Sequence, residues 1–178
     1  MEATEKKITK IVSGNVILPI KELDGRSTIS KATDVFKFID FNFKKFGLDK
    51  PSRPTKKVNV LVSEIIGDNT FIRIFTDINP NFGKSVMTLN QIAEFCKNHP
   101  FWLSQGRGTF FLIEKRRSAF QKILDFILRG EIRKYFVVCV VVASGGLGIG
   151  VGRLEDGGVW GSEDRHRVVS PQLIPSVA

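Results

Sequence analysis

The sequence predicts an α+β fold: a single domain over residues 1–178, with a mostly antiparallel sheet, about three helices and a C-terminal β-meander. Three observations lead there. Tyr135 to Gly152 runs for eighteen residues without a charge, and its first half is mostly valine, whose branched Cβ suits a pleated strand. Its second half alternates Leu147, Ile149 and Val151 with Gly148, Gly150 and Gly152, which is the period of a strand. Ser144-Gly145-Gly146 between the halves supplies a turn. A membrane-spanning helix is the competing reading of this stretch, but it would need roughly 20 apolar residues and gains nothing from alternate glycines.

The elements follow in order. Ile8 to Val12 and Val16 to Ile20 flank Ser13-Gly14-Asn15 and predict a small β-hairpin. After the Asp24-Gly25 turn, Ala32, Val35, Phe36, Ile39, Phe43 and Phe46 fall on one helical stripe, predicting the longest helix over 31–46 with Gly47 at its C′ position. Phe38 and Phe41 lie off that stripe, beside Lys37, Lys44 and Lys45. They are the candidate partner-binding residues, although a helix clamped between two layers would also carry apolar residues on both sides.

Leu48 to Thr55 carries two prolines and predicts a loop. Val58 to Ile66 and Thr70 to Asp77 alternate around Gly67-Asp68-Asn69, the signature of a second hairpin. Thr88-Leu89-Asn90-Gln91 matches a capping box, opening a helix to about Asn98 that Pro100 stops. Phe101 to Leu103 is expected to tuck under the sheet. Gly108 to Lys115 reads as a strand, and Arg117 to Leu128 as a helix with Phe120, Ile123, Leu124 and Ile127 inward. Glu155 to Gly158 predicts a turn before a last strand, Val159 to Val169, and residues 1–7 and 171–178 are expected to be loose tails.

Composition narrows the function. With 42% hydrophobic and 25% charged residues the chain is globular rather than disordered. The net charge of +9 is uneven: residues 1–57 hold 13 Lys/Arg against 7 Asp/Glu, and residues 107–134 hold 8 against 3. Such segregation permits a basic face that attracts phosphates or an acidic partner. The N-terminus lacks the apolar core of a signal peptide, and Cys96 and Cys139 sit in apolar surroundings without metal-type spacing. Reduced thiols and a cytoplasmic location are therefore expected, with no membrane association.

Motifs are few. Gly148-x-Gly150-x-Gly152 has the wrong spacing for a dinucleotide fingerprint and no helix after it, and no Gly-Lys-Ser/Thr occurs. Neither a cofactor nor a metal site is expected, since two histidines and two cysteines make a poor zinc set. Arg107 to Ile113 partly resembles the aromatic strand pattern of RNA-recognition domains, in which exposed rings stack on bases while cations hold phosphates; Thr109, Phe110 and Glu114 depart from it, and the competing reading is a core strand followed by a basic turn. The candidate nucleic-acid contacts are accordingly Arg107, Phe110, Lys115, Arg116 and Arg117, with Lys37, Lys44 and Lys45 as a second cluster. Gly161 to Arg167 is the one place where acid, histidine and arginine crowd together, so His166, Glu163, Asp164 and Arg165 are the catalytic candidates for phosphodiester hydrolysis. Glu64, Asp68 and Asp77 could hold Mg²⁺ only if they converge.

The leading expectation is thus a small basic, non-enzymatic module contacting nucleic acid through a sequence-tolerant electrostatic surface. A protein-interaction or assembly module is the alternative, and a hydrolase the third.

Overall fold

The computed structural model describes residues 7–115 and 134–172. The predicted helix from Arg117 lies outside them. The hairpin that organises the chain forms as expected: β7 (Tyr135–Ala143) pairs antiparallel with β8 (Gly146–Arg153), register running from Ala143 opposite Gly146 to Phe136 opposite Arg153. β6 (Gly108–Glu114) pairs antiparallel with the other edge of β7. Six of the seven β6 residues are buried, because both faces of this central strand are covered.

Around this centre an eight-stranded mixed sheet is built in the order β1-β4-β10-β6-β7-β8-β3, with β2 also on β4. Five of its strands are β1 (Thr9–Ile11), β2 (Leu18–Ile20), β3 (Phe36–Ile39), β4 (Val58–Ile65) and β10 (Arg167–Pro171). Most pairings are antiparallel; β10 with β6 and β3 with β8 are parallel. Two short strands, β5 (Asn69–Thr70) and β9 (Val159–Trp160), form a separate ribbon. Phe110 and Phe111, adjacent in β6, point to opposite faces and into two cores. One core gathers Phe36, Phe43, Ile92, Phe95, Phe111 and Val138 beneath α3 (Leu89–Asn98). The other gathers Phe71, Ile74, Phe75, Phe110 and Val137 beneath α2 (Phe71–Ile78).

Several expectations are corrected. β1 and β2 do not pair with each other; both lie antiparallel along β4, Thr9 opposite Ile65 and Ile20 opposite Val58. They are two pieces of one edge, interrupted where Ser13 turns inward and its hydroxyl accepts from Val62 N at 3.1 Å. The helix over 31–46 is replaced by β3 and the single turn α1 (Asn42–Lys45). Valine, phenylalanine and isoleucine cluster from Val35 to Ile39, and the open edge of β8 supplies a ladder that outweighs the helical spacing. Asp40 then starts α1, its Oδ1 accepting from Asn42 N at 2.9 Å.

Thr70 to Asp77 is not the second strand of a hairpin. Phe71, Ile74 and Phe75 satisfy a helical stripe as well as an alternation, and β4 already has partners on both edges, so the segment folds as α2. The C-terminal meander of β6, β7 and β8 does not continue into the expected last strand. Val159 to Val169 divides at a 3₁₀ turn, Ser162–Asp164, followed by Arg165 in the left-handed region (φ 47°). β10 then enters the middle of the sheet between β4 and β6. Its last residue, Pro171, pairs with Val60, and Gln172 N donates to Asn59 O, so the start of the expected tail is held. Phe101 is 91% exposed instead of tucked under the sheet, whereas Leu103 is buried. No helix among the described residues is long and apolar enough to cross a membrane.

Candidate functional site

The first basic segment ends in α1, whose last turn carries the exposed Lys44 and Lys45. Gly47 then reverses the chain with φ +65°, a conformation glycine adopts without a Cβ penalty. A Cβ on Gly47 would stand 3.8 Å from Lys115 Nζ, so the lysine that follows β6 lies against the α1 cap. Lys115 of the second basic stretch therefore stands beside the end of the turn that carries Lys44 and Lys45 of the first. None of these three makes an ion pair among the described residues.

Two further cations stand at the same end of the sheet. Arg153 lies over the rings of Phe46 and Phe136, at 5.4 and 5.7 Å, and reaches Glu155 at 3.6 Å. Lys134 pairs with Glu114 at 3.3 Å. Burial works against the charged form of Lys134, but Glu114 and Tyr135 outweigh it and hold the ammonium above its ordinary value. Sequence reasoning missed both residues, because only the register of β7 with β8 brings Arg153 opposite Phe136.

The other nucleic-acid candidates divide. Lys37 is exposed at the far end of the same edge, its side chain wrapped over Gly146. Arg107 directly precedes β6, seven residues before Glu114 and about 23 Å away in an extended strand, and pairs with Asp164 at 2.6 Å. It does not join the lysine cluster. Phe110 cannot stack on a base as expected: it is fully buried, in ring contact with Phe71, Trp160 and His166. A central strand covered on both faces leaves neither phenyl ring outside. Arg116 and Arg117 lie outside the described residues.

Phe38 and Phe41 are both exposed, at 59% and 72%. Phe38 borders an apolar groove of about 370 Å³ on the outer part of the sheet, lined also by Ile39, Asp40, Cys139, Val141, Gly148, Ile149 and Gly150. Its floor follows from register: Cys139 opposes Gly150 and Val141 opposes Gly148, so two glycines leave a shallow trough beside β7. Burial pushes the Cys139 thiol up to about 11, so it is neutral near pH 7 and no nucleophile. Burial likewise raises Cys96, and neither cysteine is in a disulfide.

The catalytic candidates do gather, although not on one strand as expected. His166 is buried, its ring set between Phe110 and Trp160 at 5.1 and 5.2 Å. Its Nδ1 stands 3.0 Å from Gly108 N, which donates to it, and 3.3 Å from Gly108 O; its Nε2 faces Asp164 Oδ2 at 3.5 Å. Arg165 turns through its left-handed conformation with its carbonyl accepting from Ser104 Oγ at 3.2 Å. Glu163 is exposed in the 3₁₀ turn. Both imidazole nitrogens thus face groups of the chain itself, whereas a general base needs one free toward substrate.

Of the three carboxylates considered for Mg²⁺, Asp77 and Asp68 are occupied separately. Asp77 Oδ2 accepts from Thr9 N and Thr9 Oγ1 at 2.9 and 2.6 Å, tying α2 to β1. Asp68 accepts from Ser162 N and Oγ at 2.6 and 2.7 Å, bonds that hold its carboxyl below the ordinary value. Glu64 stands opposite Lys10 and Arg167 in the backbone register of its two neighbouring strands. Among the described residues no three His, Cys, Asp or Glu side chains stand together as a metal site. Compared with known proteins, the chain matches no family model, no curated protein and no solved structure.

Proposed function

We propose that this chain is a non-enzymatic binding module whose basic edge engages nucleic acid, in a reducing, cytoplasmic setting. The observation that carries the reading is the approach of Lys115 to the Gly47 cap, which brings the second basic stretch to the turn of the first; Lys44, Lys45 and Lys115 make no ion pair among the described residues. Lys44, Lys45 and Lys115 offer three ammonium groups to a phosphate chain, and Lys37 extends the positive edge along β3. Such contacts are electrostatic and tolerate any sequence. The unpaired thiols of Cys96 and Cys139 accord with a reducing location. The engaged nitrogens of His166 count against the hydrolase reading. The exposure of Phe38 and Phe41 keeps a protein-interaction role as the second reading.

Fluorescence anisotropy with a labelled 20-mer tests the proposal. Three phosphate contacts predict a log affinity–log salt slope of about −3 on a duplex and about −2 on a single strand, and Lys115→Glu should flatten it by about 1 or more. Reversing Lys44, Lys45 and Lys115 together should weaken binding at least about tenfold, while Arg107→Glu changes it little. A protein that binds neither RNA nor DNA at low salt excludes the function.

A further inference from the structure

We propose that the groove beside β3 receives unpaired bases, so that the nucleic acid bound at the basic edge is single-stranded. The inference rests on the nucleic-acid reading above and narrows it to one substrate class.

Its first support is the pair of exposed rings. Phe38 and Phe41 hold their apolar faces in water, which is unfavourable unless something covers them. Every base has a π-face that a phenyl ring can cover, whatever the sequence. In a duplex those faces are stacked inward, so only a single strand can offer them.

The second support is the bare floor. Neither Gly148 nor Gly150 has a positive φ. A Cβ on Gly148 would meet nothing nearer than Phe38 Cβ at 3.8 Å, and one on Gly150 nothing nearer than Asp40 Oδ2 at 3.6 Å. Both are ordinary contacts. The protein's own packing therefore does not require glycine at these two positions, but a planar group lying on the strand would.

Charge distinguishes a nucleic acid from an apolar protein partner. Lys37 stands at one end of this edge and Lys44, Lys45 and Lys115 at the other, with Phe38 and Phe41 between them in the chain. The one acidic side chain lining the groove is Asp40, whose oxygens accept from Asn42 N at 2.9 Å and Asn42 Nδ2 at 3.1 Å. A carboxylate repels phosphate and accepts from exocyclic amines. It orients the strand with bases inward and phosphates on the lysine rim.

The test compares three 20-mers at fixed salt: an unstructured A/C-rich single strand as DNA, the same strand as RNA, and its DNA duplex. Anisotropy is measured for the unmodified protein, for Phe38→Ala/Phe41→Ala, and for Gly148→Val, with a thermal melt of each variant. Either single strand should bind at least about tenfold tighter than the duplex. The double Phe variant should lose about tenfold or more on the single strand with its salt slope unchanged, because stacking releases no counterion. Gly148→Val should weaken the single strand while melting like the parent, so that a filled groove is separated from a damaged fold.

Equal affinity for strand and duplex, with the Phe and Gly variants unaffected and the lysine reversals weakening both, overturns the inference and leaves the basic-edge reading standing. No binding to any of the three overturns both. A dimer in sedimentation velocity that Phe38→Ala dissolves also overturns it, since a second copy then covers the groove.

Discussion

At the scale of single residues, His166 shows how a reactive side chain becomes a structural one. Its ring fills the space between Phe110 and Trp160, and its Nδ1 receives the Gly108 N–H where β10 meets β6. Replacing His166 by Ala leaves that buried donor unpaired, a loss of about 1–3 kcal/mol, with further loss from the emptied ring site. Urea denaturation checks this; an unchanged midpoint would show that the imidazole bears no structural load and would return it to the list of catalytic candidates. The crowding of acid, histidine and arginine was readable from the sequence. The ring's neighbours were not, because Phe110 is 56 residues away in the chain and Trp160 reaches the ring only through the Ser162–Asp164 turn. Phe38 and Phe41 were legible as outliers to an apolar stripe, and remain outliers although the stripe itself belongs to no helix. Phe110 was misjudged for the opposite reason. In a strand buried on both faces, alternation no longer separates inside from outside.

Individual elements differ in how much of their conformation is local. The α3 start is written in four residues: Thr88 Oγ1 accepts from Gln91 N at 3.2 Å and Gln91 Oε1 from Thr88 N at 2.9 Å. Thr88→Ala should therefore cost about 1 kcal/mol, and Thr88→Ser much less, as measured by the denaturation midpoint. Equal losses for the two substitutions would contradict the cap. The valine run and its glycine partner strand were equally local, since composition, period and turn agree. Residues 31–46 and 71–78 were not. Each fits both periods, and the choice fell to whichever sheet edge was open. β8 had a free edge and drew Phe36 to Ile39 into a strand, whereas β4 was flanked on both sides and left Phe71 to Ile78 to form a helix.

For the molecule as a whole, the decisive feature is the insertion of β10. The last strand described pairs antiparallel with β4 and parallel with β6, joining the N-terminal part of the sheet to the β6–β7–β8 part. Truncation after His166 removes this central strand and exposes the edges of both neighbours. The shortened chain should lose its cooperative urea transition and near-ultraviolet circular dichroism. A truncated protein that kept the parental m-value would mean that the two parts of the sheet fold independently. The same topology creates the basic edge, because Lys115 reaches α1 only when β6, β7, β8 and β3 stand side by side.

By itself the sequence determined the fold class, the β7–β8 hairpin, the capped helix and the presence of two basic stretches, all of which depend on neighbours a few residues apart. Tertiary structure alone decided the strand order, the conformations of the two ambiguous segments, and which phenylalanines face water. Those outcomes depend on free edges and covered faces, which come into being only when distant strands pair.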